Sequence, residues 1–221
     1  MHAEFRENGY VIHRQLVDLR TALAWADLYA SLADPDRTPE FNPVAINAAQ
    51  LQPLLTLIAH HPSIVAKVRE IWGDFTIYNQ RFVVKDRHSR GPVFWHQDTG
   101  YHQGWPDKCS VFVALGQVEP ERGGLIIAQG SHHYGFMGDA GELNIDLLPV
   151  HEHPRVDIRM IVGDVLMMHS ACWHASHPHT MGADRVLSDI IYQPEDDEVP
   201  AFLKNPFIRS RVDRIKELEK K

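Results

Sequence analysis

The stretch Asp74–Lys85, DFTIYNQRFVVK, divides the chain into two kinds of pattern. Before it, apolar residues recur at helical spacing. From Phe75 onward they come as short β-branched and aromatic runs, Phe75–Tyr78 and Arg81–Val84, of the kind that favours strands. On the N-terminal side, Gly9 precedes a short run, Tyr10–Ile12, that reads as a strand. Asp18 is placed to cap a helix running to about Leu32, with Leu19, Leu23, Ala26 and Leu28 as its apolar stripe. The segment 34–43, DPDRTPEFNP, holds three prolines and reads as a loop. Leu51–Ala59 reads as a second helix with Pro53 in its first turn. Ser63–Trp72 is a third, with Ile64, Val65, Val68 and Ile71 on one side and Gly73 just past its end.

On the C-terminal side, strands are expected at Pro92–His96, Cys109–Val118, Leu125–Ala128, Val156–Val162, Val165–His169, Trp173–Ser176 and Val186–Tyr192. Gly, Pro, Asp or Asn separates most of them. About eight short strands after a helical start predict a mainly β fold, a double-stranded β-helix or jelly roll. The expected organisation is one domain over residues 1–221: helical support in 1–73, a jelly-roll core in 74–193 and a tail in 194–221. Arg209–Lys221 reads as a charged, solvated helix.

Bulk composition excludes several functions. The 221 residues carry a net charge of -7, so no basic field attracts nucleic acid or anionic lipid. No apolar run approaches the ~20 residues that span a bilayer. The opening MHAEFRENGYVIH lacks the basic and apolar regions of a secretory signal. Cys109 and Cys172 are the only cysteines, which fits two reduced thiols in a cytoplasmic protein. Of 15 histidines, those at 88, 96, 102, 132, 133, 151, 153, 169, 174, 177 and 179 crowd one half of the chain. Histidine is the commonest metal ligand, although clustering alone proves nothing.

Three pieces carry chemistry. The first is Trp95–His102, WHQDTGYH. On a strand, residues two apart share a face, so His96 and Asp98 can aim at one centre while Gln97 points away. An imidazole and a carboxylate suit a first-row metal, and a solvated Asp beside a packed core His is the plainer alternative. The second is residues 163–185, GDVLMMHSACWHASHPHTMGADR, where a turn at Gly163-Asp164 feeds a wholly apolar, buried strand. His169 and His174 follow, and one more His would complete two His and one carboxylate, the set of non-haem Fe(II) oxygenases. Arg185 offers a planar fork for a carboxylate. The third is Glu121–His132, ERGGLIIAQGSH, which alone is an ordinary strand between turns.

Together the pieces resemble the phytanoyl-CoA dioxygenase family of Fe(II)/2-oxoglutarate oxygenases. FRENGYVIHRQLVD is similar to that family's N-terminal E-N-G-Y/F-V strand and following helix. HQD resembles its H-x-D iron motif. GGLIIAQGSH resembles its G-x-L-x-x-x-P-G-S/T-H strand and turn, with Gln129 in place of Pro. The stretch from Gly163 resembles its distal histidine motif, in which an Arg eleven residues beyond the iron-binding His binds 2-oxoglutarate. That spacing selects His174 over His169. The likeness spans about Phe5 to Tyr192.

The resemblance implies His96, Asp98 and His174 as Fe(II) ligands and Arg185 as partner of the distal carboxylate of 2-oxoglutarate. It places Ser176, Gln80 and Lys85 near the same cosubstrate; His179 stands where many relatives have Asn. Tyr101, His102, Trp105 and Phe112 are the expected substrate contacts, and His132, His133 and His177 are expected on loops or the rim. The implied chemistry uses O2, converts 2-oxoglutarate to succinate and CO2, and oxidises an unactivated substrate C–H bond. Related halogenases replace the carboxylate ligand with a small residue; Asp98 is retained, which points to hydroxylation, desaturation or ring closure. The polar, aromatic rim suggests a small polar metabolite such as a natural-product intermediate. A cupin-like metal enzyme without 2-oxoglutarate and a non-catalytic binding module on the same fold are the alternatives. The early helices could pack a homodimer.

Overall fold

A computed structural model of the chain describes residues 3–33, 44–46, 49–102, 107–136 and 151–197. The loop 34–43 and the C-terminal helix expected from Arg209 lie outside the described residues. Four helices are described: α1 (Ala3–Asn8), α2 (Leu19–Leu32), α3 (Gln52–Ala59) and α4 (Pro62–Trp72). The strands are β1 (Tyr10–His13), β2 (Val44–Ile46), β3 (Phe75–Lys85), β4 (Val93–His96) and β5 (Cys109–Ala114), then β6 (Leu125–Ala128), β7 (Arg155–Asp157), β8 (Val165–His169), β9 (His174–Ser176) and β10 (Arg185–Pro194).

They form two antiparallel sheets. One has the order β1-β8-β5-β10-β3-β2 and the other β4-β9-β6-β7. The sheets face each other as a jelly roll, with Phe112, Leu166 and Leu187 of the larger packed against Leu125 and Ile127 of the smaller. Helices α2, α3 and α4 cover the outer face of the larger sheet. There Ile58, Ile64 and Val68 meet Phe82, Val84, Val186 and Ile190, all fully or nearly fully buried. Strand alternation sorts β3 and β10 accordingly. Phe82 and Val84, and Val186 and Ile190, point to the helices; Arg81, Val83, Arg185 and Asp189 point between the sheets and line a common cavity.

The helix signals act locally as expected. Asp18 accepts from Thr21 N at 3.0 Å, a cap worth about 1 kcal/mol, and α4 ends at Gly73 with φ 79°. The buried stripe of α2 is Ala22, Trp25 and Tyr29, whereas Leu19, Leu23 and Leu28 are exposed. The two aromatics bury more apolar surface than the leucines and set the packed face. Several strand boundaries also shift. Asn79 and Gln80 do not interrupt β3, which continues through them beside β10 with a bulge at Tyr78. Val118 and Met160 form an isolated bridge beyond the ends of β5 and β7. Pro92 falls before β4, since it has no N–H for the ladder.

Candidate metal centre and its cavity

His96 ends β4 and His174 begins β9. The two are direct partners in the β4–β9 ladder, so their rings lie side by side with centroids 4.1 Å apart. Asp98 is not on the strand: it opens a 3₁₀ turn, Asp98–Tyr101. Gln97 between them is still extended (φ -114°, ψ 131°), so the two-residue spacing keeps His96 and Asp98 on one side. The Gln97 amide points the other way and donates to Gly135 O at 2.8 Å and Ala171 O at 2.6 Å. Thr99 N donates to Ser170 O at 3.0 Å, and together these bonds pin the turn.

The polarity of the centre is set by second partners. His96 Nδ1 donates to Phe94 O at 2.8 Å and His174 Nδ1 to Cys172 O at 3.0 Å. Both Nε2 lone pairs therefore face inward. Asp98 Oδ1 lies 3.7 Å from His96 Nε2 and 3.6 Å from His174 Nε2. Ser110 Oγ donates to the other oxygen, Oδ2, at 2.7 Å. Burial holds the His96 imidazole down at about 4, so it is neutral at ordinary pH. Burial pushes the Asp98 carboxyl up, but the combined pull of His174, His102, His96 and Arg81 prevails and holds it below the usual range.

With each Nδ1 turned to a backbone carbonyl, the two imidazole Nε2 atoms and the Asp98 carboxylate converge on one point. That arrangement is repulsive unless a cation sits at its centre. The three ligand atoms lie within 4.8 Å of one another, a spread that one ion with bonds of about 2.1 Å can draw together. The residues present fit a first-row divalent metal held by a two-histidine, one-carboxylate face with positions left open.

The centre opens on a cavity of about 270 Å³. Arg185, the first residue of β10, lines it and is 1% exposed. Its Nε has no partner, and no ion pair reaches it among the described residues. Burial lowers it only to about 10, so it stays charged. A buried, unpaired guanidinium facing a cavity calls for an anion, and its planar fork matches a carboxylate. Ser176, at the end of β9, lines the same cavity with its hydroxyl also unpartnered.

Other expected site residues are placed differently. Gln80 is on the opposite face of β3 from Arg81, where its amide donates to Gln52 of α3 at 3.0 Å; it does not line the cavity. Lys85 faces inward but is committed to backbone, donating to Gly91 O and, at 2.9 Å, to His177 O. Burial first, then the neighbouring Arg185, bring it down to about 7. Tyr101 lines the mouth and Phe112 the floor. His102 packs against Tyr78, ring centroids 5.2 Å apart, off the cavity, and burial holds it at about 4. Trp105 lies outside the described residues.

Five other histidines of this half of the chain have partners elsewhere. His169 Nδ1 accepts from Ala171 N at 3.1 Å and its Nε2 faces Asp107 at 3.4 Å. His177 pairs with Asp157 at 2.7 Å, and His179 donates to Ala183 O at 3.2 Å. His132 and His133 donate to Arg6 O and Glu7 O of α1.

The glycine piece also acquires a role. Gly123, with φ +74°, lies against the Lys85 stem, where a Cβ would collide with it. Ser131 accepts from Trp173 N at 2.8 Å, tying that turn to the start of β9. Two charged cavity residues escaped sequence reasoning, Arg81 and Asp189, joined Nε to Oδ2 at 2.7 Å. Their signal was a charge on each of two otherwise apolar strands, RFVV and VLSDIIY.

Fold and site define a non-haem iron, 2-oxoglutarate-dependent oxidoreductase. The phytanoyl-CoA dioxygenase (PhyH) profile matches residues 5–186, and the chain belongs to that family. Its fold is that of solved structures of such enzymes. The epimerase SnoN in complex with Fe3+, alpha ketoglutarate and nogalamycin RO has a TM-score of 0.73 at 19% identity, covering 94% of this chain and 90% of its own. The carbocyclase SnoK from nogalamycin biosynthesis scores 0.72 at 22% identity, covering 88% and 83%. HygX from Streptomyces hygroscopicus, with nickel and 2-oxoglutarate bound, scores 0.64 at 17% identity, covering 87% and 84%. No curated protein sequence matches the chain. No helix among the described residues is long and apolar enough to cross a membrane.

Proposed function

We propose that this enzyme oxidises an unactivated C–H bond of a small organic molecule, by hydroxylation, desaturation or ring closure, in a natural-product pathway. One observation carries the reading. A converging His96/Asp98/His174 face and the unpaired, buried Arg185 open on a single cavity. The first suits Fe(II). The second suits the distal carboxylate of 2-oxoglutarate, with Ser176 as a further donor. When bound, the metal and cosubstrate supply oxygen activation, with release of succinate and CO2.

This chain's own residues bind, orient and exclude water. Asp98 supplies the carboxylate ligand, which favours oxygenation over halogenation. Phe94, Phe112 and Val93 line the cavity and keep the reacting C–H bond away from bulk water. Cys109 and Cys172 are free and buried, which supports a reducing, cytoplasmic setting. The antibiotic-pathway enzymes with the same fold support a natural-product substrate.

The test is the anaerobic visible spectrum with Fe(II) and 2-oxoglutarate. Bidentate cosubstrate on Fe(II) gives a weak charge-transfer band, which should vanish in His174→Ala. A folded protein that never shows the band returns the chain to the cupin-like or binding-module readings.

A further inference from the structure

Arg81 and Asp189 face each other directly across the β3–β10 ladder. Asp189 is wholly buried; the Arg81 side chain is 29% exposed, and both line the cavity. A buried ion pair between two strands contributes little stability over an apolar pair of similar size, so packing alone does not account for it. The bond is made through Nε alone. The two Nη nitrogens, which form the outer edge of the fork, have no partner among the described residues. Asp189 Oδ1 is also unpartnered. Hydrogen-bonding capacity therefore remains beside the metal face after the iron ligands, Arg185 and Ser176 have been assigned.

Charge narrows what can use that capacity. Burial pushes the Asp189 carboxyl up, and the Arg81 guanidinium 2.7 Å away pulls against that; as an ion pair the two add no net charge to the cavity. With iron and cosubstrate in place, the ion's two positive charges and that of Arg185 are matched by Asp98 and the 2-oxoglutarate dianion. Lys85 is turned to backbone carbonyls outside the cavity. A charged substrate would enter a dry site with no counter-ion left for it, at a large desolvation cost. The walls at the mouth are rings: Phe94 and Tyr101 both line the cavity and are each 51% exposed. Half-exposed aromatic faces around an opening favour a flat or cyclic partner.

Building on the function proposed above, we infer that Arg81, positioned by Asp189, recognises the substrate. That substrate is an uncharged, ring-bearing molecule which offers a carbonyl or hydroxyl oxygen to the Arg81 Nη edge while its ring rests against Phe94 and Tyr101.

The matched probes are benzamide and benzoate, equal in shape and different in charge. Binding is followed by ligand-observed NMR on the protein loaded with Zn(II) and 2-oxoglutarate, a diamagnetic complex without turnover. Benzamide should bind in the millimolar range, as a fragment of this size allows, and at least about fivefold more tightly than benzoate. Replacing the pair by apolar residues, Arg81→Met with Asp189→Leu, should weaken benzamide about tenfold and leave 2-oxoglutarate affinity unchanged. Arg81→Lys keeps the charge, loses the fork and should weaken benzamide similarly, which covers a double variant that fails to fold.

Three results would overturn the proposal: no benzamide binding to the wild type, benzoate binding as tightly as benzamide, or variants that bind benzamide normally. A parallel loss of 2-oxoglutarate affinity would reassign Arg81 to the cosubstrate and overturn it as well. Failure of the wild type to bind 2-oxoglutarate at all would instead defeat the functional reading beneath it.

Discussion

Ser110 Oγ donates to Asp98 Oδ2 at 2.7 Å, from β5 of the larger sheet to the turn that follows β4 of the smaller. One hydrogen bond between the sheets thus turns the carboxylate so that Oδ1 faces the two histidines. Ser110→Ala removes the bond without changing the strand. Partners of this kind tune metal affinity by about 10–100-fold. We expect Fe(II) or Co(II) affinity to fall within that range in an anaerobic titration, with thermal stability of the metal-free protein little changed.

Arg185→Met should abolish tight cosubstrate binding. Removing one partner of a buried, hydrogen-bonded charge pair costs about 2–5 kcal/mol, or at least about 30-fold in Kd. Arg185→Lys keeps the charge and loses the fork, so its affinity should fall in between. Calorimetric titration of 2-oxoglutarate into Zn(II)-loaded protein measures both. Unchanged binding by Arg185→Met would remove this residue from the cosubstrate site.

Lys85 makes stability depend on pH in a stated direction. Its ordinary value is 10.5, and burial and Arg185 lower it in the folded protein to about 7. Below pH 7 both folded and unfolded chains hold the proton, and the folded state bears the cost of the buried ammonium. Between about 7 and 10.5 the unfolded chain binds more protons, so this group's contribution to stability rises with pH and then levels off. Urea unfolding midpoints of wild type minus Lys85→Met, taken from pH 7 to 10, isolate the effect. A flat difference would mean that Lys85 titrates normally.

Gly123→Ala should destabilise the fold. The backbone there is at φ +74°, and an added Cβ would meet the Lys85 stem and lie 3.1 Å from His177 O. Strain of this type costs about 1–3 kcal/mol, read as a lower urea midpoint at an unchanged slope.

The local features were legible in the chain. Asp18 caps α2 where expected because a side-chain oxygen two or three residues from free N–H groups acts whatever surrounds it. The H-x-D triplet works because Gln97 stays extended even though the strand has ended at His96. The longer apolar strands read correctly from composition, and the family motifs added the choice of His174 over His169. The facing assignments failed where no local rule applied. Gln80 and Arg81 are adjacent, and nothing near them says which one turns toward the cavity. Leu19, Leu23 and Leu28 made as good a helical stripe on paper as Ala22, Trp25 and Tyr29.

By itself, then, the sequence determined the change from helix to strand at Asp74 and the caps and turns, because each depends on neighbours within a few residues; it pointed to the metal ligands only through the resemblance of its separated motifs to a family. Tertiary structure decided what those elements meet. The ladder between β3 and β10 sets Arg81 against Asp189, 108 residues away, and the pairing of β4 with β9 brings His96 beside His174. Register between strands is a property of the assembled sheets, selected by which face buries its apolar side chains. That selection placed Arg81 in the cavity and Gln80 behind it.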